Sequence, residues 1–310
     1  MSKRILIVGA GGQDGTILRK HIHKNDIVFS VSRTSSSVNN NTRHEGPGFS
    51  PSSIPELNAQ IISFAPELVY YLPTIHGSDG SHVNTDESRY LERKFIDQVG
   101  LQLLIESLMS LRSPVSFLYA SSSKIFGNHI GPANEETPTD PQCEYSRSKL
   151  SAMSFLESIN STHLKIISCV LFHHHSEYRK GQFALNLIAE NLATRSDAMC
   201  DGFIRDWNAV GDFSCAHAVC ALMHQLHEIR FHGRVVIGSG ILRNLRDIYN
   251  ELCIALGKPD LIHGTSMGSV RQGIFAASSR LERNGLRLSD NLIRTLTNQV
   301  RVIRNESKLA

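Results

Sequence analysis

Ile5-Leu6-Ile7-Val8-Gly9-Ala10-Gly11-Gly12-Gln13-Asp14-Gly15-Thr16-Ile17-Leu18 is the stretch that decides how this chain is read. Four apolar, mostly β-branched residues run into a glycine cluster and then into a helix-period pattern at Ile17, Leu18 and Ile22. That predicts a buried strand, a tight turn and a helix. Gly9, Gly12 and Gly15 fall three apart. The backbone can therefore turn sharply and approach a pyrophosphate, the helix can pack on the strand, and the helix N-terminus aims free N–H groups at the anion. Glycine spacing alone is weak evidence; a strand before it and a helix after it make it specific. Gly9, Gly12, Gln13, Asp14 and Gly15 are accordingly expected to bind a dinucleotide cofactor.

Composition narrows the remaining choices. A chain of 310 residues can bury a large core. Its formal net charge is only +3, and Lys/Arg runs never exceed a pair, so no footprint for nucleic acid is expected. Apolar stretches are too short for a bilayer span. The glycine cluster interrupts the apolar run after Lys3-Arg4 too early for a signal peptide. The six cysteines (Cys143, Cys169, Cys200, Cys215, Cys220, Cys253) form no C-x-x-C pair. They read as reduced thiols of a cytoplasmic protein.

Outward from the opening stretch, Ile27 to Val31 predicts a second strand. A site for NAD usually ends this strand with an acid that bonds the ribose hydroxyls. Here the end is Ser30-Val31-Ser32-Arg33-Thr34-Ser35, and an arginine with hydroxyls suits a 2′-phosphate. NADP is favoured over NAD, with Arg33, Thr34 and Ser35 as its contacts; a solvent-exposed arginine is the competing reading. Ser35 to Ser53 predicts a loop, with no convincing third strand. A helix follows to about Phe64, then a strand from Leu68 to Leu72 whose end places Leu72 at the cofactor edge. Ser88 to Leu111 predicts a long amphipathic helix, Val115 to Tyr119 a strand, Tyr145 to about Asn160 a helix and Leu164 to Leu171 a strand. Beyond Phe172 the alternation loosens. His173 to Gly181 reads as a polar loop, Gln182 to Thr194 and Asp212 to Ile229 as helices, Arg234 to Ile237 as a strand, and Leu245 to Leu256 as a helix. Short helices near Ser279 to Asn284 and Ser289 to Val300 close the chain. The predicted class is α/β, a doubly wound parallel sheet with a smaller C-terminal lobe. Residues 1–172 form the dinucleotide-binding unit, and residues 173–310 form mainly a substrate lobe with segments returning to the sheet.

Chemistry concentrates at Tyr145-Ser146-Arg147-Ser148-Lys149. A phenol and an ammonium four residues apart share one helix face. Free tyrosine titrates near pH ~10, and a neighbouring lysine and an oxidised nicotinamide ring favour the phenolate, giving a usable proton acceptor. Ser122, after the preceding strand, can hold the same substrate hydroxyl. His173-His174-His175 invites a metal reading, but neighbours in sequence point apart and ligand sets are spaced, so no metal is expected.

Gly9-x-x-Gly12-x-x-Gly15, Ser122 and Tyr145-x-x-x-Lys149 together resemble the extended short-chain dehydrogenase/reductase family, in its branch of nucleotide-sugar epimerases and dehydratases. Gly12-Gln13-Asp14-Gly15, Arg33-Thr34-Ser35-Ser36-Ser37, Leu171-Phe172 leading to Arg179-Lys180-Gly181, and Arg205-Asp206-Trp207 with Asp212 resemble the GDP-mannose 4,6-dehydratases within it. The resemblance implies a Rossmann-like fold. It implies that Tyr145 takes the proton of a sugar hydroxyl while hydride passes to the cofactor, and that Lys149 binds the nicotinamide ribose. It further implies a nucleotide-sugar substrate, a GDP-sugar by this likeness. Ser123, His173, Arg179, Lys180 and Arg205 would contact it, Arg205 at the diphosphate unless it is a structural ion pair. A homodimer or higher homo-oligomer is implied, through the helices from Ser88 to Leu111 and from Tyr145 to Asn160. The departures are chemical. Dehydratases of this family carry an acid one or two places after the catalytic Ser or Thr, where this chain has Ser123 and Lys124, and His173 replaces a substrate-binding asparagine. A serine cannot replace a carboxylate as proton donor at neutral pH. Epimerase or 4-keto reductase chemistry is therefore favoured. The alternatives are a dehydratase that uses Lys124 as acid/base and a non-enzymatic, cofactor-binding regulatory protein.

Overall fold

The computed structural model describes residues 2–33, 43–75, 87–179, 181–194, 204–262, 272–289 and 291–309. In chain order the strands are β1 (Arg4–Val8), β2 (Ile27–Val31), β3 (Arg43–Glu45), β4 (Leu68–Tyr71), β5 (Val115–Ser122), β6 (Gly131–Ala133), β7 (Leu164–Leu171), β8 (His173–His175), β9 (Val210–Cys215), β10 (Gly233–Ile237), β11 (Leu242–Asn244) and β12 (Ile274–Ala276). The helices are α1 (Gln13–His21), α2 (Ile54–Phe64), α3 (Glu87–Lys94), α4 (Gly100–Met109), α5 (Glu144–Glu157), α6 (Ala184–Thr194), α7 (Ala216–Glu228), α8 (Leu245–Ala255), α9 (Ser279–Arg283) and α10 (Leu292–Leu309). A π-helical turn, Phe95–Val99, joins α3 to α4.

Seven strands form one sheet in the order β10-β7-β5-β4-β1-β2-β3, every pair parallel. Ile5, Leu6, Ile7 and Val8 of β1 are each 0 % exposed. A strand apolar on both faces needs helices on both sides, and burying each such side chain stabilises the fold by roughly 1.5–3 kcal/mol. Leu6 and Val8 join one core layer with Leu57 of α2, Leu104 of α4 and Met153 of α5. Ile5 and Ile7 join the other, with Ile17 of α1, Met223 of α7 and Leu281 of α9. A third cluster, with Leu185 of α6, Tyr249 of α8 and Leu296 of α10, builds a lobe beside the sheet. The strand order reverses at β1: the chain runs outward through β2 and β3, then crosses back to β4. In such sheets the crevice outside the carboxyl ends of the strands at that reversal is where ligands bind.

Four local expectations are corrected. The interval from Ser35 to Ser53 does hold a strand, β3, paired with Val28 to Ser30. Its sequence, Arg-His-Glu, is polar and three residues long, so only backbone pairing defines it. His173 to His175 is not loop but strand β8, in register with Phe213 to Cys215 of β9. The stretch from Asp212 is not helical at its start, because β9 runs to Cys215 and α7 begins at Ala216. The last helix also extends past Val300, as α10.

Asp212 fastens β9, which pairs with β8 and β11, to the rest of the fold. It is 0 % exposed. One oxygen accepts from the Ser239 N–H at 2.8 Å and its hydroxyl at 2.6 Å, and the other from the N–H groups of Gly240 and Ala276, both at 2.9 Å. One carboxylate thereby joins β9 to the turn after β10 and to β12. Replacing Asp212 by Ala leaves three backbone donors without their acceptor, that of Ala276 buried and those of Ser239 and Gly240 part-buried. We expect at least about 3 kcal/mol of lost stability, read as a lower urea midpoint with the m-value unchanged; a loss below 1 kcal/mol would contradict the assignment.

Candidate active site

Gly9 leaves β1 at φ +88°, and its N–H and that of Ala10 both donate to the Val31 carbonyl at 2.8 and 3.0 Å. The turn is thus pinned to the end of β2. A Cβ at Gly15 would sit 2.5 Å from the Gly9 carbonyl oxygen and 2.6 Å from the Ala10 Cα. Only glycine lets α1 approach this closely. No side chain caps α1 at Gly12, which leaves N–H groups of its first turn for a ligand.

This turn forms one end of a cleft of about 590 Å³. Gly9, Gly12, Gln13, Asp14, Gly15, Leu72, Ser122, Ser123, Lys124, Tyr145, Lys149, His173 and Arg179 all line it. Strand β5 delivers Ser122 to its carboxyl end, where the hydroxyl accepts from the Lys124 N–H at 3.3 Å. Tyr145 and Lys149 lie one turn apart on α5, a helix whose N-terminus is fixed by reciprocal bonds between Cys143 and Ser146. Lys124 is exposed. Nothing takes its ammonium out of water.

Lys149 is the opposite case, 2 % exposed. Its ammonium donates to the Pro73 carbonyl and to Asp97 Oδ1, each at 3.1 Å, and the Ser148 hydroxyl donates to Asp97 Oδ2 at 2.7 Å. Sequence reading missed Asp97. The signal was there: an acid among Phe95, Ile96, Leu101 and Leu104, on a face where the helical period called for apolar residues.

The three histidines separate as alternate residues of a strand must. The His173 ring stacks on Phe213 at 5.4 Å and borders the cleft. His175 is buried, with Nε2 2.8 Å from Gln299 Oε1. His174 turns to the cradle: Nδ1 lies 2.8 Å from the Phe172 carbonyl and Nε2 3.0 Å from Asp14 Oδ2. Both ring nitrogens face acceptors, an arrangement an imidazolium satisfies fully. Among the described residues no cluster of His, Cys, Asp or Glu is arranged to hold a metal. Gln13 also ties the strand down, accepting from the Ser176 N–H at 3.0 Å. Arg179 spreads its guanidinium over the Phe183 ring at 4.2 Å.

Two of the expected contacts are not among the residues that line this cleft. Arg33 is 79 % exposed and 3.8 Å from Glu92. It does not line the cleft. Arg205 is exposed and does not line it either. Thr34, Ser35 and Lys180 lie outside the described residues. The glycine cradle, the uncapped helix start and a buried lysine at one cleft fit a dinucleotide.

A model of the NAD dependent epimerase/dehydratase family matches residues 5–238, and the chain belongs to that family. No curated protein sequence matches it. Solved structures share the fold across nearly the whole chain. The UDP-N-acetylglucosamine 4-epimerase of Methanobrevibacter ruminantium, in complex with UDP-N-acetylmuramic acid, superposes with a TM-score of 0.77 at 14 % identity, covering 99 % of each chain. The UDP-glucose 4-epimerase of Thermotoga maritima, with UDP-glucose, gives 0.75 at 17 % identity over 99 % of this chain and 100 % of its own. RMD of Pseudomonas aeruginosa, complexed with NADPH, gives 0.74 at 18 % identity over 98 % of this chain and 100 % of its own. No helix among the described residues is long and apolar enough to cross a membrane.

The Asp14–His174 pair carries a pH signature. Burial alone would push Asp14 up, but His174 and Gln13 hold it at about 2. Burial would push His174 down, but Asp14 lifts it above the usual 6.5. The two shifts are one interaction seen from both ends. The histidine's share is complete below pH 6.5 and is lost as pH rises through its raised value. The aspartate's share is present above pH 3.8 and is lost as pH falls toward 2. The stability difference between wild type and His174→Asn should therefore reach roughly 1–2 kcal/mol between about pH 4 and 6.5 and shrink on both sides. Thermal unfolding across pH measures it; a difference independent of pH would refute the pairing.

Proposed function

We propose that this chain is an enzyme that binds a nicotinamide dinucleotide and a nucleotide-sugar and carries out reversible hydride transfer at a sugar ring carbon, as an epimerase or a 4-keto reductase. The carrying observation is that Ser122, Tyr145 and Lys149 border the same cleft as the glycine cradle. The bound nicotinamide supplies a hydride acceptor that can return what it takes. Ser122 orients the sugar hydroxyl, Tyr145 removes its proton as the carbon–hydrogen bond opens, and the same phenol gives the proton back when the carbonyl is reduced. Lys149, held by its buried partners, holds the cofactor ribose. Arg179, flat on Phe183, offers a guanidinium fork to the substrate diphosphate.

Dehydration takes second place. Expelling water across C5 and C6 calls for a carboxyl group near Tyr145. Among the described residues lining the cleft the carboxylate is Asp14, already paired with His174 at the cradle. Lys124 would need burial to become a neutral base, and it is exposed. A UDP-sugar fits the reading as well as a GDP-sugar, since the epimerases of like fold are complexed with UDP-sugars. For the cofactor, β2 ends in Ser30-Val31-Ser32-Arg33 without an acid, which supports NADP over NAD through the missing acid rather than through Arg33. A homodimer through α3, α4 and α5 belongs to the same proposal, with Leu91 of α3 and Val99 of the π-helical turn exposed at 55 and 47 %. A non-enzymatic role gains nothing from a Tyr/Lys pair held in the cleft.

The test is NMR of purified protein with UDP- and GDP-hexoses, their 4-keto-6-deoxy derivatives, and NAD, NADP and the reduced forms. Inversion at a ring carbon without net cofactor reduction, or consumption of reduced cofactor by a 4-keto sugar, supports the proposal. Release of a 4-keto-6-deoxy sugar from a hexose would overturn it in favour of dehydration. Tyr145→Phe should lower kcat at least about 100-fold and leave cofactor affinity within about threefold; retained turnover would remove the phenol from the mechanism.

A further inference from the structure

The π-helical turn Phe95–Val99 interrupts what would otherwise be one α-helix from α3 into α4. Such widenings cost backbone geometry and gather at functional sites. Here the widened turn carries Asp97, 2 % exposed, whose two oxygens meet consecutive residues of α5: Oδ2 accepts from Ser148 and Oδ1 from Lys149. The neighbours are neutral. The Tyr119 ring lies 5.1 Å from the ammonium, and burial first, then the charge of Asp97, push the Tyr71 and Tyr119 phenols well above their usual value. An ion pair buried this deeply is poor evidence of stability, since apolar residues would fill the space at no loss. Its retention calls for another reason.

We infer that Asp97 is a positioning residue that holds Lys149 at the cofactor and cancels its charge, so that the cleft binds the oxidised and the reduced nicotinamide with comparable strength and the oxidised ring, rather than Lys149, favours the Tyr145 phenolate. This rests on the reading of Lys149 as the ribose-binding lysine. A bound nicotinamide would supply the hydride acceptor: oxidation of a carbinol carbon would pass one hydrogen with two electrons to it and make the cationic ring neutral. The hydroxyl proton goes to Tyr145 and the carbon–oxygen bond becomes a carbonyl. A lone buried ammonium beside the ring would favour the neutral, reduced form and hinder its return to the cation. The Asp97–Lys149 pair removes that bias. Two of the ammonium's three donors are taken by Asp97 and Pro73, which leaves one for a ribose hydroxyl.

The test measures dissociation constants of NAD+, NADH, NADP+ and NADPH, by nicotinamide fluorescence and by competition, on the full chain and four variants. Asp97→Asn leaves the ammonium alone and should raise the ratio of oxidised to reduced dissociation constants about tenfold. Lys149→Met leaves the carboxylate alone and should lower that ratio, although both forms bind more weakly. The double variant Asp97→Asn/Lys149→Met should return the ratio to within about twofold of wild type, and Ser148→Ala, which removes an anchor but no charge, should leave it unchanged. If Asp97→Asn does not fold, the opposite shift in Lys149→Met decides. Equal weakening of both forms in every variant would overturn the inference while leaving the cofactor reading intact. Failure of the wild-type chain to bind any of the four would overturn both.

Discussion

The rest of the molecule is arranged around a distance at which no side chain fits: α1 presses so close to the turn after β1 that the 15th residue must lack a Cβ. That contact sets the helix axis over the sheet, fixes where its first N–H groups emerge, and places them at the point where the strand order reverses. Each later element is then positioned relative to an anion-accepting corner. Strand β5 supplies a serine at the same edge, α5 a phenol and an ammonium, and β8 a histidine that reaches back to the corner itself.

The division of labour among charges follows. Asp14 brings a negative charge into a place built for anions, and His174 neutralises it from another strand. Lys149 brings a positive charge to a buried place beside the Tyr119 ring, and Asp97 neutralises it from a distorted helix. Arg179 lines the same cleft with its guanidinium stacked on Phe183. On the proposed function, the guanidinium of Arg179 is the charge left to meet a substrate diphosphate, while Asp14 and Lys149 are each compensated by a partner.

How much of this the amino-acid order reveals depends on how local the determinant is. The strand-turn-helix at Ile5 to Leu18, the i to i+4 spacing of Tyr145 and Lys149, and the apolar strands at Leu68, Val115 and Leu164 are written in neighbouring residues, and the fold class followed from them. Strand β3 has no hydrophobic alternation, because it lies at the sheet edge and pairs through its backbone. Strand β8 reads as a polar loop, since its three imidazoles find partners 160, 40 and 124 residues away in Asp14, Phe213 and Gln299. Asp97 belongs to the same class, a buried charge whose meaning appears only when its partner is in view. Arg33 and Arg205 illustrate the converse, residues whose type suits a phosphate but whose placement leaves them outside the cleft.

The chain passes from β7 into β8 through Phe172 alone, and Phe172 is itself hydrogen-bonded to the end of β10. With no slack between the two strands, the lobe that begins at β8 inherits its phase from the central sheet. A single added or deleted residue at this junction would exchange the faces of all three histidines at once, turning an apolar stacking edge toward the cradle and an ionisable one into the core.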